Sequence, residues 1–226
     1  MRSVAGAWSR AWHTCGMETH LFESRRLFCR HVRAEDVDTL LAVYGDADAM
    51  RWVGDGEPLT RAQCEEWVAV CARNYRTRGY GLSALVERAS GDTIGFCGLV
   101  HPAGQAEPEL KYALRRDHWG RGLATEAARA MLAYARERLG LRHVIATAYP
   151  QNLASLRVLR NAGMQSLPVR TDSDGTVICC FAWHAEASPA MPDMRLAASA
   201  GVAEQPARDG DVGNSEDDRI ESAPPG

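Results

Sequence analysis

Apolar and polar positions along this chain change period several times, and each change marks an element. Residues 26–33 alternate and predict a strand. Val37, Leu40, Leu41 and Tyr44 then fall three and four apart, as one face of a helix. Its first turn carries Glu35, Asp36 and Asp38, where carboxylates meet the positive end of the helix dipole. A loop containing Arg51, Trp52, Gly54, Gly56 and Pro58 follows. Thr60 with Gln63 forms a capping box that opens a second helix through Trp67, Val68, Cys71 and Tyr75. Strands are predicted over 80–86 and 93–100, about the turn Ala89-Ser90-Gly91-Asp92. Gly95 and Gly98 weaken the second of these but admit close approach of another backbone. His101, with Pro102, ends that strand. Further strands over 109–114 and 142–148 flank a long helix from Ala124. It has Ala127, Ala128, Met131, Leu132, Ala135 and Leu139 on one face, and Arg129, Arg136, Glu137 and Arg138 off it. A helix of that length between two strands predicts that they run parallel. A helix over 152–162 ends at Gly163, and residues 164–170 and 176–184 read as a hairpin around Asp172-Ser173-Asp174-Gly175.

Composition narrows the frame. At 226 residues and 46% hydrophobic, the chain can bury one sizeable core, with extensions. Residues 1–22 read as an extension without the apolar run of a signal peptide or membrane span, and 23–186 as the domain. From 187 the chain turns to Ala, Pro, Gly, Ser and acidic residues with no apolar period. Such a tail is expected to be disordered, because it buries too little to offset about 1–2 kcal/mol of backbone entropy per residue. A net charge of −3 argues against a nucleic-acid footprint. The seven cysteines form no Cys-x-x-Cys, and Cys179 and Cys180 point to opposite faces of a strand. No metal site and no disulfide framework is therefore expected; the thiols read as the reduced ones of a cytoplasmic protein.

Candidate chemistry centres on Asp117-His118-Trp119-Gly120-Arg121-Gly122-Leu123-Ala124-Thr125-Glu126. Two glycines one residue apart and then Ala124 make a bend of little side-chain bulk at a helix N-terminus, where free N–H groups and the dipole favour a phosphate. A Walker loop would need Gly-Lys-Ser or Gly-Lys-Thr, and a dinucleotide fold Gly-x-Gly-x-x-Gly directly after its strand; neither occurs. The stretch from Trp119 to Ala124 resembles the acyl-CoA pyrophosphate loop of the GNAT N-acetyltransferases. Trp119 stands where that family usually has Gln or Arg, as it commonly does in the branch similar to ribosomal-protein N-terminal acetyltransferases. Downstream, Asn152-Leu153-Ala154-Ser155 and the helix ending in Gly163-Met164 resemble that branch's Asn-x-x-Ser helix. The resemblance covers roughly residues 23–185. It implies an α/β fold with a mixed, mostly antiparallel splayed sheet flanked by helices, the acyl-CoA N-acyltransferase fold. It also makes Met17 resemble a start site.

The resemblance further implies transfer of an acetyl group from acetyl-CoA to a primary amine, with a protein N-terminal α-amine expected. Alternatives are a small-molecule amine or antibiotic as acceptor, or an acyl-CoA-binding module without turnover. Glu109, in the strand resembling the family's Glu-Ile-Gly-Tyr, is the candidate base, although Lys111 replaces the glycine. A backbone N–H near Ala113 and Leu114 would meet the oxyanion. Trp119, Gly120, Arg121, Gly122, Leu123, Ala124 and Thr125 would hold the pyrophosphate, with Asn152 also on the cofactor. Many family members carry a Tyr seven residues after the Asn to protonate the CoA thiolate. Leu159 stands there, and Ser155 is the candidate substitute. Arg51 and Trp52, with the Glu57-Pro58 loop, would overhang the acceptor. His101 reads as a strand-end surface residue. Acetyl-CoA and a peptide N-terminus or small amine are the expected partners, with no membrane and no nucleic acid.

Overall fold

The computed structural model describes residues 20–53, 56–102, 105–172 and 174–185. Met17, most of the N-terminal extension and the whole acidic tail lie outside these. The elements are β1 (Phe22–Glu23), β2 (Leu27–His31), α1 (Val37–Tyr44), α2 (Ala47–Met50), α3 (Arg61–Arg78), β3 (Leu82–Glu87), β4 (Thr93–Val100), β5 (Glu109–Leu114), α4 (Leu123–Glu137), β6 (His143–Ala148), α5 (Leu153–Asn161), β7 (Gln165–Ser166), β8 (Arg170–Thr171) and β9 (Val177–His184). The strands follow the order β1-β2-β3-β4-β5-β6-β9-β7, with β8 pairing β9. Every pairing is antiparallel except β5 with β6, which are parallel and in register only at Glu109 and Ile145. The α/β class, the mostly antiparallel sheet and the parallel central pair are as expected.

Each face of the sheet has its own core. Under α4 and α5 lie Leu27, Leu85, Leu110, Leu123, Met131, Leu132, Val144, Leu156, Leu159 and Phe181. Under α1 and α3 lie Val37, Leu40, Val43, Tyr44, Cys64, Cys71, Ala84 and Phe96. A bulge decides how β4 serves both. Leu85 pairs with Gly95 and Val86 with Thr93, so Ile94 is an extra residue; although only two positions apart, Ile94 and Phe96 enter different cores. The glycines of this strand are needed for space. A Cβ on Gly95 would lie 2.4 Å from the Ala113 carbonyl oxygen, and one on Gly98 2.2 Å from that of Gly81, distances no side chain tolerates.

Several expectations are corrected. The buried face of α1 uses Val43, with Leu41 only half buried. Asp36 is not in the first turn of α1: it closes the 3-10 turn before that helix and is 2% exposed. The loop after α1 contains α2, capped by the Asp46 carboxylate on the N–H groups of Asp48 and Ala49. A strand, β1, occupies Phe22–Glu23 at the boundary drawn between extension and domain. The C-terminal hairpin has an interrupted first arm, because Pro168 between β7 and β8 has no N–H for the ladder. The Thr60–Gln63 capping box forms as expected, and Gly79 in the left-handed region closes α3. No helix among the described residues is long and apolar enough to cross a membrane.

Asp36 ties the first half of the sheet together. Its two oxygens accept from Arg30 Nη1 and Nη2 at 2.8 Å each, from the Arg33 N–H at 2.8 Å and from Thr93 Oγ1 at 3.0 Å. Burial pushes its pKa up, but the donors, led by Arg30, outweigh burial and hold it below the ordinary aspartate value. Its stabilisation is therefore complete above about pH 3.9 and is lost as pH falls through the lower folded value. Asp36→Ala removes the carboxylate that neutralises Arg30 inside the fold. It is expected to cost about 3–5 kcal/mol in urea unfolding at pH 7, with the difference from the parent shrinking below pH 4. An unchanged midpoint at pH 7 would contradict this role.

Candidate functional site

The bend after β5 is built by backbone conformation and braced from a distance. Gly120 and Gly122 have φ of 71° and 74°, and Gly122 is the residue before α4. A Cβ on Gly120 would meet nothing within 4 Å, and one on Gly122 only Arg26 Nη2 at 3.7 Å. The glycines are thus required by the left-handed conformation, and lack of bulk is secondary. Leu123 is 1% exposed, so its side chain belongs to the core and only its backbone faces the bend. Arg26, just before β2, donates from Nη1 to the Arg121 carbonyl at 2.9 Å and from Nε to Glu126 Oε2 at 2.7 Å. Glu126 Oε1 accepts from the Arg26 N–H at 2.7 Å and Ser24 Oγ at 2.8 Å. Burial raises the Glu126 pKa, but these donors outweigh it and leave the carboxyl below its ordinary range. Arg121 points its guanidinium at Glu87 Oε1, 2.7 Å away, so it offers an anion its backbone while its side chain is engaged. Thr125, on the first turn of α4, lines a cavity of about 510 Å³ with Ser24, Arg25, Arg26 and Arg129.

Beyond Glu109 the two parallel strands part, and the backbone polarity of β5 on that side follows from alternation. Arg115 N–H donates to the Ile94 carbonyl of β4, while Pro108 accepts from Ile145 of β6. The N–H groups of Tyr112 and Leu114 consequently face the gap, and that of Ala113 faces β4. Leu114 also turns its carbonyl to the gap, where Trp119 Nε1 donates to it at 2.7 Å. The ring of Trp119 is otherwise 46% exposed, with the Arg116 guanidinium 5.9 Å from its centroid.

At the closed end of the gap, Glu109 is 2% exposed. Its Oε1 accepts from Lys111 Nζ and Thr147 Oγ1, each at 2.5 Å, and Oε2 lies 3.4 Å from Gln105 Nε2. Lys111 Nζ also reaches Thr147 Oγ1 at 3.2 Å. On the other face of β5, the Tyr112 hydroxyl crosses to α5 and meets Ser155 Oγ at 2.9 Å and the Ser155 carbonyl at 3.3 Å. Asn152 is the α5 N-cap, its Oδ1 accepting from the Ser155 N–H at 3.1 Å. That use leaves the amide NH2 of Asn152 as the group able to reach a ligand. Leu159 is buried in the core.

Arg51 and Trp52 follow α2. Arg51 is well exposed, 3.7 Å from Asp48, and Asp48 also pairs with Arg116 at 2.6 Å. Trp52 leans toward Tyr149, at the end of β6, with ring centroids 5.9 Å apart. His101 is less solvated than a surface residue, since Tyr80 Oη lies 2.7 Å from its Nε2.

Residues 26–165 match the family model described as an acetyltransferase (GNAT) domain. The chain belongs to the GNAT acetyltransferase family. The uncharacterised protein YkkB of Bacillus subtilis is 33% identical to this GNAT domain over 144 residues, 62% of this chain and 81% of that one. An Aspergillus fumigatus protein named FsC-acetyl coenzyme A-N(2)-transacetylase is 32% identical over 130 residues, 53% of this chain and 54% of its own length. The structure of RimL, a ribosomal alpha-N-protein acetyltransferase in complex with coenzyme A, superposes with a TM-score of 0.61 at 15% identity. It covers 71% of this chain and 95% of RimL.

In this GNAT domain the bend and Glu109 lie at the two ends of β5, and Tyr112 between them joins the strand to the Asn152–Ser155 turn; Arg51 is exposed beside Asp48. Sequence reasoning missed Tyr112, Thr147 and the Arg26–Glu126 brace. Tyr112 had one signal: in Glu109–Leu114 it shares the apolar face of Leu110 and Leu114, yet carries a hydroxyl that must find a partner when buried. Gly122→Val forces a β-branched residue to a φ of 74°. The variant is expected to lose at least about 1–2 kcal/mol of stability, seen as a lower melting temperature. Calorimetry is expected to show acetyl-CoA binding greatly weakened, and undiminished affinity in the folded variant would remove the bend from the cofactor site.

Proposed function

We propose that the domain transfers the acetyl group of acetyl-CoA to a protein N-terminal α-amine, in a cytoplasmic setting consistent with the free thiols of Cys29, Cys64, Cys71, Cys97, Cys179 and Cys180. The observation that carries the acceptor class is the state of Glu109. One carboxylate oxygen is already taken by Lys111 and Thr147, so only Oε2 has acceptor capacity for an amine proton, directly or through a water. A site with so constrained a base favours an amine that is easily deprotonated. An α-amine of pKa about 7.7–8.0 costs about 1–1.4 kcal/mol to deprotonate at pH 7, against about 4.6 for a lysine near 10.4.

In this reading the pyrophosphate of acetyl-CoA lies on the backbone of Trp119, Gly120, Arg121, Gly122, Leu123, Ala124 and Thr125. The pantetheine arm occupies the gap, beside the Asn152 amide. The thioester oxygen meets the Leu114 N–H, which faces the gap where that of Ala113 does not. Trp52, with Tyr149 and the exposed Arg51, borders the acceptor entrance. A small-molecule amine is the second reading: a structural neighbour, AAC(6')-Ib, was solved with ribostamycin and coenzyme A.

Competition between a peptide with a free N-terminus and the same peptide N-blocked but carrying a lysine tests the acceptor. At pH 7 the deprotonation difference alone gives the α-amine an advantage on the order of a hundredfold. Acetylation confined to the lysine peptide, or to small polyamines or aminoglycosides, would overturn the N-terminal assignment. Glu109→Gln is expected to lower kcat by about a hundredfold and to flatten the acidic limb of the pH–rate profile. Near-normal rates from pH 6 to 9 would leave Glu109 with its ion pair alone.

A further inference from the structure

A hydroxyl pair joins β5 to the first turn of α5. Tyr112 Oη is 2.9 Å from Ser155 Oγ and 3.3 Å from the Ser155 carbonyl, and the phenol is mostly buried under α5. The phenol is the more acidic of the two hydroxyls and Oγ is its nearer partner, so the pair is read with Tyr112 giving its one hydrogen to Ser155 Oγ. Ser155 then keeps its own hydrogen for another acceptor. On the first turn of α5, Asn152 Oδ1 already accepts from the Ser155 N–H.

We propose that Tyr112 is a positioning residue: its phenol orients Ser155 so that the serine O–H donates a hydrogen bond to the sulfur of CoA as it leaves as a thiolate. This inference rests on the acetyl-transfer reading above. In that reaction the acceptor nitrogen forms a bond to the thioester carbonyl carbon and releases its proton to Glu109 or water. The carbon–sulfur bond then breaks, and its electron pair departs on sulfur. Ser155 stabilises that charge and keeps its own proton; the released CoA thiolate takes a proton from water.

Acidity decides between donating a hydrogen bond and donating a proton. An ordinary phenol is already about thirtyfold weaker as an acid than an ordinary thiol, and burial raises the Tyr112 pKa further. Full proton transfer from the pair to a thiolate is therefore uphill, whereas a hydrogen bond to a charged acceptor is favourable. The pair thus fills the place left by Leu159 with different chemistry: it lowers the barrier to thiolate departure and adds no titrating acid.

The test is steady-state kinetics on the full chain, with acetyl-CoA and the best acceptor of the panel above, following thiol release. Tyr112→Phe removes only the hydroxyl and is expected to lower kcat about tenfold, with the KM for acetyl-CoA changed less than twofold and the alkaline side of the pH profile unmoved. Ser155→Ala is expected to lose at least as much. The Tyr112→Phe, Ser155→Ala double variant is expected to be no slower than Ser155→Ala alone, because the phenol acts only through the serine. Parent-like kcat in a folded Tyr112→Phe protein, or a double variant slowed by the product of the two single effects, would overturn the proposal. A new alkaline limb in Tyr112→Phe would also overturn it, in favour of a true acid. Absence of thiol release by the parent across the panel would overturn the acetyl-transfer reading itself, and this inference with it.

Discussion

The parting of β5 and β6 is the constraint on which the rest of this structure depends. Two neighbouring strands in the middle of a sheet normally satisfy each other's backbone, and separating them after one register position leaves a row of N–H and C=O groups facing a gap. Trp119 answers part of that debt by giving its indole N–H to the Leu114 carbonyl. In this chain the position where the resembled family usually has Gln or Arg thus supplies an N–H donor to the end of β5. Only the N–H groups of Tyr112 and Leu114 are then directed into the gap from this strand, which is where an amide-rich arm or a developing oxyanion finds partners.

Holding a glycine-rich bend in one shape at the mouth of that gap is the second requirement. Left alone, two glycines in the left-handed region lose more conformational entropy on folding than any other residues would. The chain counters this with groups distant in sequence: Ser24 and Arg26, about a hundred residues away, fix Glu126 and the Arg121 carbonyl, and Glu87, 34 residues before Arg121, takes its guanidinium. The brace occupies the carboxylate of α4's first turn with arginine, so its negative charge opposes an incoming phosphate less than an unpaired glutamate would.

What could be read from the sequence was whatever is local. The bend, the Thr60–Gln63 box, the helix beginning at Asn152 and the long face of α4 each depend on residues within a few positions, and they stand where the pattern put them. The parallel β5–β6 pair was legible for the same reason, since one helix joins the two strands. Asp36 was misread because nothing in its own turn reveals that Arg30 and Thr93 converge on it from two strands. The interrupted arm before β9 should have been foreseen from Pro168. Thr147 and the Arg26–Glu126 brace were invisible for a deeper reason, and so was the partner of Tyr112: these contacts join elements distant in sequence, and no spacing rule links them.

Alternation along β5 also divides the labour of the reaction. Leu110, Tyr112 and Leu114 belong to the face covered by α4 and α5, whereas Ala113 packs with the core beneath α1 and α3. Glu109 and Lys111 share the side of Ala113 by the same period of two. On the proposed reading, the groups that handle the departing sulfur therefore sit on one face of the strand, and those that handle the incoming amine on the other. Addition to a thioester followed by its collapse needs that separation, because the nucleophile adds to the carbonyl carbon through a direction the sulfur does not occupy. A single pleated strand, parted from its neighbour, supplies both sides at a fixed spacing without any loop having to move.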